Sequence, residues 1–154
     1  MRLGSRIGAV LALGAVLGCS SPSPEERIRA RIAEAEEAAE AGDLRALRDL
    51  VAPDYSDAEG RDKRAIDGLV AFYLTRNRSL HVLADVRSIR LVARDEAEVE
   101  LLVAVAASPI SGPGALANLD ADLLRIDLDL RAAGGADWKV TSAGWRRAEL
   151  SDFF

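Results

Sequence analysis

Chemistry in this chain has few side chains to work with. It holds one histidine, His81, and one cysteine, Cys19, among 25 acidic residues. His81 begins an alternating stretch, and a general base there needs an orienting partner. Asp85 sits two pleats away on the same face, but a partly exposed strand histidine is the plainer reading. Asp54, Asp57 and Glu59 share a loop with Gly60, and Asp127 stands on a later strand. Acid–base work on a carbonyl needs one base within reach and a separate donor for the developing oxyanion. Alternation puts Asp127 with Arg125 and Asp129, opposite Ile126 and Leu128, on a charged face and not in a pocket. The loop acids read as turn residues that satisfy local backbone. Asp120/Asp122 and Asp127/Asp129 lack a Gly-punctuated loop to fold oxygens around a cation. Gly112-Pro113-Gly114 and Gly134-Gly135 lack the helix and Lys of a phosphate loop. No metal or cofactor is implied. Among the aromatics, Tyr55, Tyr73 and Trp145 are the candidate pocket-lining residues, and Phe72 and Trp138 are assigned to the core.

Cys19 is a different case. Residues 1–18 start with Arg2 and Arg6 and continue with 7–17, an apolar run of Ile, Gly, Ala, Val and Leu. As a helix it would cover about half of a ~30 Å hydrocarbon core, too little to span. It reads as an export signal. Val16-Leu17-Gly18-Cys19 resembles the lipobox of bacterial lipoproteins. The resemblance implies cleavage before Cys19, a diacylglycerol on its thiol and an acylated amine, a multi-chain anchor that holds stably. Ser20 follows in place of the Asp that retains enterobacterial lipoproteins at the inner membrane. The implied address is the cell envelope, on the outer membrane facing the periplasm where the host has two membranes.

The remainder is one domain. Of 154 residues, 49% are hydrophobic and 29% charged, an ordinary globular composition, and the net charge is −5. With no basic run, nucleic acid is excluded as a partner. A single cysteine excludes an internal disulfide. The chain divides into a leader at 1–18, the lipidated Cys and a tether at 19–23, and a domain at 24–150. Ser23 and Glu26 form a capping box with Pro24 at the first helical position, predicting a helix over 24–41. Ile28, Ile32, Ala35 and Ala39 form its apolar stripe, and the charges between them read as a solvated face. Gly42 ends it, and Asp43 caps a short helix through Val51. A third helix over 63–75 carries Ile66, Leu69, Val70, Phe72 and Tyr73. From Ser79 the period becomes two, with Leu80, Val82, Ala84 and Val86 on one face. Further strands follow around Val99–Val103–Val105, Leu124–Ile126–Leu128–Leu130 and 138–147. The fold class is α+β: three N-terminal helices packed on an antiparallel sheet of about four to five strands.

This element order, with Val51-Ala52-Pro53-Asp54-Tyr55 closing the second helix and Trp138-Lys139-Val140 and Trp145 in the last strand, resembles the nuclear transport factor 2-like superfamily. That superfamily includes SnoaL-like polyketide cyclases, ketosteroid isomerase and scytalone dehydratase. The resemblance implies a cystatin-like cone, a curved sheet wrapped around the helices over a conical cavity. It also implies that homodimerisation through the open sheet face is available. Ketosteroid isomerase carries its base in the region of Asp54, Asp57 and Glu59, but the first helix here has no Tyr to face it, and Asp127 is on the wrong face for a neutral acid. The expectation is a non-enzymatic cone that binds a small apolar ligand or a protein partner. The alternative is an isomerase, cyclase or dehydratase using a loop carboxylate.

Overall fold

Ser23 begins the described fold with the expected capping box. Its hydroxyl accepts from the Glu26 amide, and the Glu26 carboxylate accepts from the Ser23 amide. The computed structural model describes residues 21–77 and 79–154, so the leader and Cys19 lie outside the described residues. Three helices come first: α1 (Pro24–Ala41), α2 (Leu44–Asp49) and α3 (Lys63–Arg76). Four strands follow as a meander: β1 (His81–Leu91), β2 (Glu96–Ala106), β3 (Ala121–Ala133) and β4 (Asp137–Arg147). The expected α+β class is the observed one, with neighbouring strands antiparallel throughout. Gly42 ends α1 at φ 67°, a conformation that costs glycine no Cβ clash. The second helix stops at Asp49, two residues short of the expected end, because Val51 leaves the helix to bridge Val140 on β4.

The sheet has an inner face toward α1 and an outer face, and each carries a core. Ile28 and Ile32 pack against Ala97, Val99, Leu101 and Val103 of β2, with Leu130 and Trp138 beside them. On the outer face Leu102 and Ala104 pack with Leu116, Ala148 and Phe153. The C-terminal 3-10 turn Leu150–Phe153 and the turn Pro113–Asn118 cover this second core, so packing continues past residue 150. Two bulges set which residues share a face. In β1 the register shifts between Val86 and Ser88, so Val82, Ala84 and Val86 face inward and Ile89 does so after the extra residue. The β3–β4 register shifts between Asp129 and Leu130: Leu130 pairs with Val140, Leu128 with Ala143 and Ile126 with Trp145. Trp138 and Trp145, seven residues apart in sequence, therefore lie on the same inner face.

The charges of α1, expected to be a solvated face, instead fasten the helix to the sheet. Strand β1 is an edge strand. Its Val82 and Ala84 amides donate to Glu40 and Glu36, at 2.8 and 3.3 Å. These carboxylates occupy amides that a free sheet edge would offer to another chain. Arg27 donates to the Gly135 carbonyl, and Arg31 to the Trp138 carbonyl and the Asp137 carboxylate. At the other edge, residues 50–56 exchange backbone hydrogen bonds with Val140 and Thr141 of β4. The third helix departs most from expectation. Of its apolar residues only Ile66 is buried, and Phe72, assigned to the core, is 58% exposed. The buried residues of the inner cluster come from α1 and the sheet, and none comes from α3.

Candidate functional site

Because the sheet curves away from α1, the two do not meet along their whole length. Between them lies a hollow of about 190 Å³, walled by Ile32 and Ala35 of α1 and floored by residues such as Leu101, Ile126, Leu128 and Trp138. Ile126, Leu128 and Leu130 all line it; Ile126 and Leu128 are half-buried and Leu130 is 4% exposed. Leu124, expected to be buried with them, is also only half-buried. Arg125 is half-buried too, paired with Glu100 and Asp152. Asp127, Asp129 and Arg131 are exposed as the alternation required.

Two charged residues border the hollow, Arg31 and Glu36. Arg31 donates to the Trp138 carbonyl, Glu34 and Asp137. Burial pushes the Glu36 carboxyl above its ordinary range, against the hydrogen bond from the Ala84 amide, and the nearby Glu40 and Glu37 push the same way. Trp138 is 2% exposed, and its indole Nε1 is buried without a hydrogen-bond partner among the described residues. Reasoning from sequence missed both residues as features of a site. The signal for Glu36 is a row at spacing four, Ile28-Ile32-Glu36-Glu40, in which an apolar line turns acidic on one helix face. Nothing in the sequence marks the Trp138 donor.

The structure separates the three candidate pocket aromatics. Tyr55 is 3% exposed, inside the loop at 53–62, and its hydroxyl donates to Asp57 Oδ2 at 3.0 Å. Burial, then the Asp57 carboxylate, push its phenol up to about 12. Tyr73, on α3, is exposed and reaches Asp122 Oδ2 at 3.3 Å. Its phenol is raised by partial burial and by Asp122. Trp145 lies on the inner face opposite Ile126, partly exposed, with the Arg61 guanidinium carbon 4.1 Å from its ring centroid. None of the three walls the hollow.

The loop carboxylates do not reach it either. Asp57 has no exposed side-chain surface. Its Oδ1 accepts from the Glu59 and Arg61 amides, and its Oδ2 accepts from Arg61 Nε at 2.7 Å and from Tyr55. Burial alone would raise this carboxyl, but the Arg61 guanidinium and amide and the Tyr55 hydroxyl outweigh it and hold it below the ordinary range. The turn reading of this residue fits these bonds. Asp54 is exposed and paired with Arg131 at 2.8 Å, whose hydrogen bond lowers it, and Glu59 pairs with Arg61. His81 Nδ1 lies 3.8 Å from Glu40, whereas Asp85 pairs with Arg87. Among the described residues no three metal-ligating side chains cluster, and no helix is long and apolar enough to cross a membrane.

The class of fold follows from this geometry and from comparison with solved structures: it is the nuclear transport factor 2-like cone. A candidate scytalone dehydratase from Novosphingobium aromaticivorans superposes with a TM-score of 0.66 at 13% identity, covering 81% of this chain and 84% of its own. A candidate dehydratase of the NTF2-like family from Streptomyces avermitilis gives 0.62 at 17% identity, over 81% and 97%. Bd1075 of Bdellovibrio bacteriovorus gives 0.62 at 10% identity over 79% of this chain, which spans 40% of that protein's length. No family model matches the sequence, and no curated protein matches it significantly. At these identities the likeness extends to the fold, which hosts many unrelated activities.

Proposed function

We propose that this protein is an envelope lipoprotein, anchored through lipid on Cys19, whose cone domain binds a small apolar ligand without transforming it. The observation that carries the ligand is the hollow itself, about 190 Å³ and walled almost wholly by aliphatic side chains. A sealed engineered cavity of about 150 Å³ with aliphatic walls binds benzene, and this hollow, open to solvent on one side, presents similar walls. Toluene is therefore the probe. At ten times its Kd it should stabilise the protein by about 1.4 kcal/mol, read as a rise in Tm. Leu128→Phe, which fills the hollow, should remove that rise. An unchanged Tm and unperturbed wall methyl signals at saturating toluene would overturn the proposal.

The anchor rests on the lipobox resemblance and on an apolar run too short to span. A second reading is catalytic, as the dehydratase names of two structural neighbours suggest. What favours it is one carboxyl bordering the hollow, Glu36, held above its ordinary range first by burial. Turnover of a hydroxy-carbonyl substrate that is lost in Glu36→Gln would replace the binding reading.

A further inference from the structure

We infer that the end of the domain carrying the β1–β2 and β3–β4 turns rests on the lipid surface that holds the anchor, with Leu91, Val92 and Ala93 in contact with it. This rests on the lipoprotein reading and specifies how the anchored domain is oriented. From Cys19 to Ser23 the chain can reach at most about 14 Å when fully extended. Helix α1 begins at the next residue, Pro24, so its start is held close to the bilayer whatever path the tether takes. Two turns share that end of the domain. Arg27, near the start of α1, donates to the Gly135 carbonyl at 3.0 Å and so fixes the β3–β4 turn beside the tether. The Ala132 amide donates to the Asp95 carbonyl at 2.8 Å, which joins the β1–β2 turn to the same end. The other end of α1 lies by the start of β1, where Glu40 accepts from the Val82 amide.

What the two turns present suits a lipid interface. Leu91 and Val92 are 41% and 44% exposed, and Ala93 beside them is exposed too. Across from them Gly134, Gly135 and Ala136 are exposed and uncharged. Turns that face water favour Asn, Asp and Ser. A lone exposed apolar residue needs no account, but here apolar and uncharged tips meet where the anchor holds the domain against lipid. Charges at this end are mixed, with Arg94 beside Asp95 and Glu96. The fit is therefore to a zwitterionic surface, by apolar contact and not by attraction to anionic headgroups. Helix α3 belongs to the opposite end, since Tyr73 reaches Asp122 at the start of β3. Its exposed Phe72 then points away from the bilayer.

The test uses the full lipidated chain in vesicles of phosphatidylcholine and phosphatidylethanolamine. Lipid occupies the Cys19 thiol, so Ala93→Cys, Ala136→Cys and, at the opposite end, Ala117→Cys each offer one free thiol for an environment-sensitive fluorophore. Brominated lipid should quench the probes at 93 and 136 several-fold more than the probe at 117. Val92→Asp, which changes only an exposed side chain, should reduce quenching at 136 and leave emission at 117 unaltered. Palmitate labelling of each variant reads the anchor separately. Lipidated protein with equal, weak quenching at all three positions would overturn the orientation and leave the anchor standing. Shielded but unquenched probes at 93 and 136 would mean that a second copy covers this end, and would overturn it too. Absence of the lipid would remove both readings.

Discussion

Arg61 lies over Trp145, its guanidinium carbon 4.1 Å from the ring centroid, while its Nε donates to Asp57 at 2.7 Å. One side chain thus ties the loop at 53–62 to the last strand, through a planar cation that can stack and hydrogen-bond at once. Arg61→Ala should lower Tm and shift Trp145 emission to the red as the ring loses its cover. Arg61→Lys should recover little, because an ammonium lacks the fork that spans both partners. Thermal unfolding followed by fluorescence checks this, and an unchanged Tm in Arg61→Ala would refute it.

Asp57 should make stability sensitive to acid. Its folded pKa lies below the ordinary carboxylate value, so its stabilisation is full above the unfolded pKa and is lost as pH falls through the folded one. Asp57→Asn should be less stable than wild type at neutral pH, and the gap should narrow on acidification. Urea titrations across pH 7 to 3 read it out; a gap constant with pH would contradict the assignment.

Glu36 works in the opposite direction. Its folded pKa is raised, chiefly by burial, so its contribution is greatest below the unfolded value and is lost as pH rises through the folded one. Glu36→Gln should remove that decline while leaving an oxygen to accept from the Ala84 amide. Equal pH slopes in the two proteins would show that the carboxyl is not perturbed.

The two cores predict different costs for similar truncations. Leu102 is fully buried in the outer core, and Leu102→Ala should cost about 2–5 kcal/mol. Leu128→Ala, beside space that already exists, should fall at the lower end, about 2 kcal/mol. Phe153→Ala should cost about 3–5 kcal/mol, because the C-terminal turn closes the outer core. Equilibrium urea unfolding ranks the three, and a negligible cost at Phe153 would mean the turn is not part of the fold.

The anchor has its own test. Cys19→Ser should move the protein from the membrane fraction to the soluble fraction and abolish palmitate incorporation. A wild-type protein that is soluble and unlabelled would end the lipoprotein proposal.

How far the sequence reached depended on the range of the interactions involved. It determined α1 with both ends, because the Ser23–Glu26 box and Gly42 act within one turn of the chain. It placed the main strands and the apolar face of β2 and β3, because a period of two is local and one face must be apolar. It also placed Asp57 as a turn residue, since both amides that reach its Oδ1 lie within four positions. Tertiary structure alone decided the rest. The register shift opposite Asp129 and Leu130 puts Trp145 on the same face as Trp138, where uninterrupted alternation would have parted them. Tyr55 is buried where its loop pairs with β4, and Phe72 is left bare, although both are aromatics beside apolar neighbours. Glu36 becomes an edge cap and a border of the hollow only once β1 lies beside α1. The hollow is walled by α1, Leu50 and all four strands together, so no single segment encodes it.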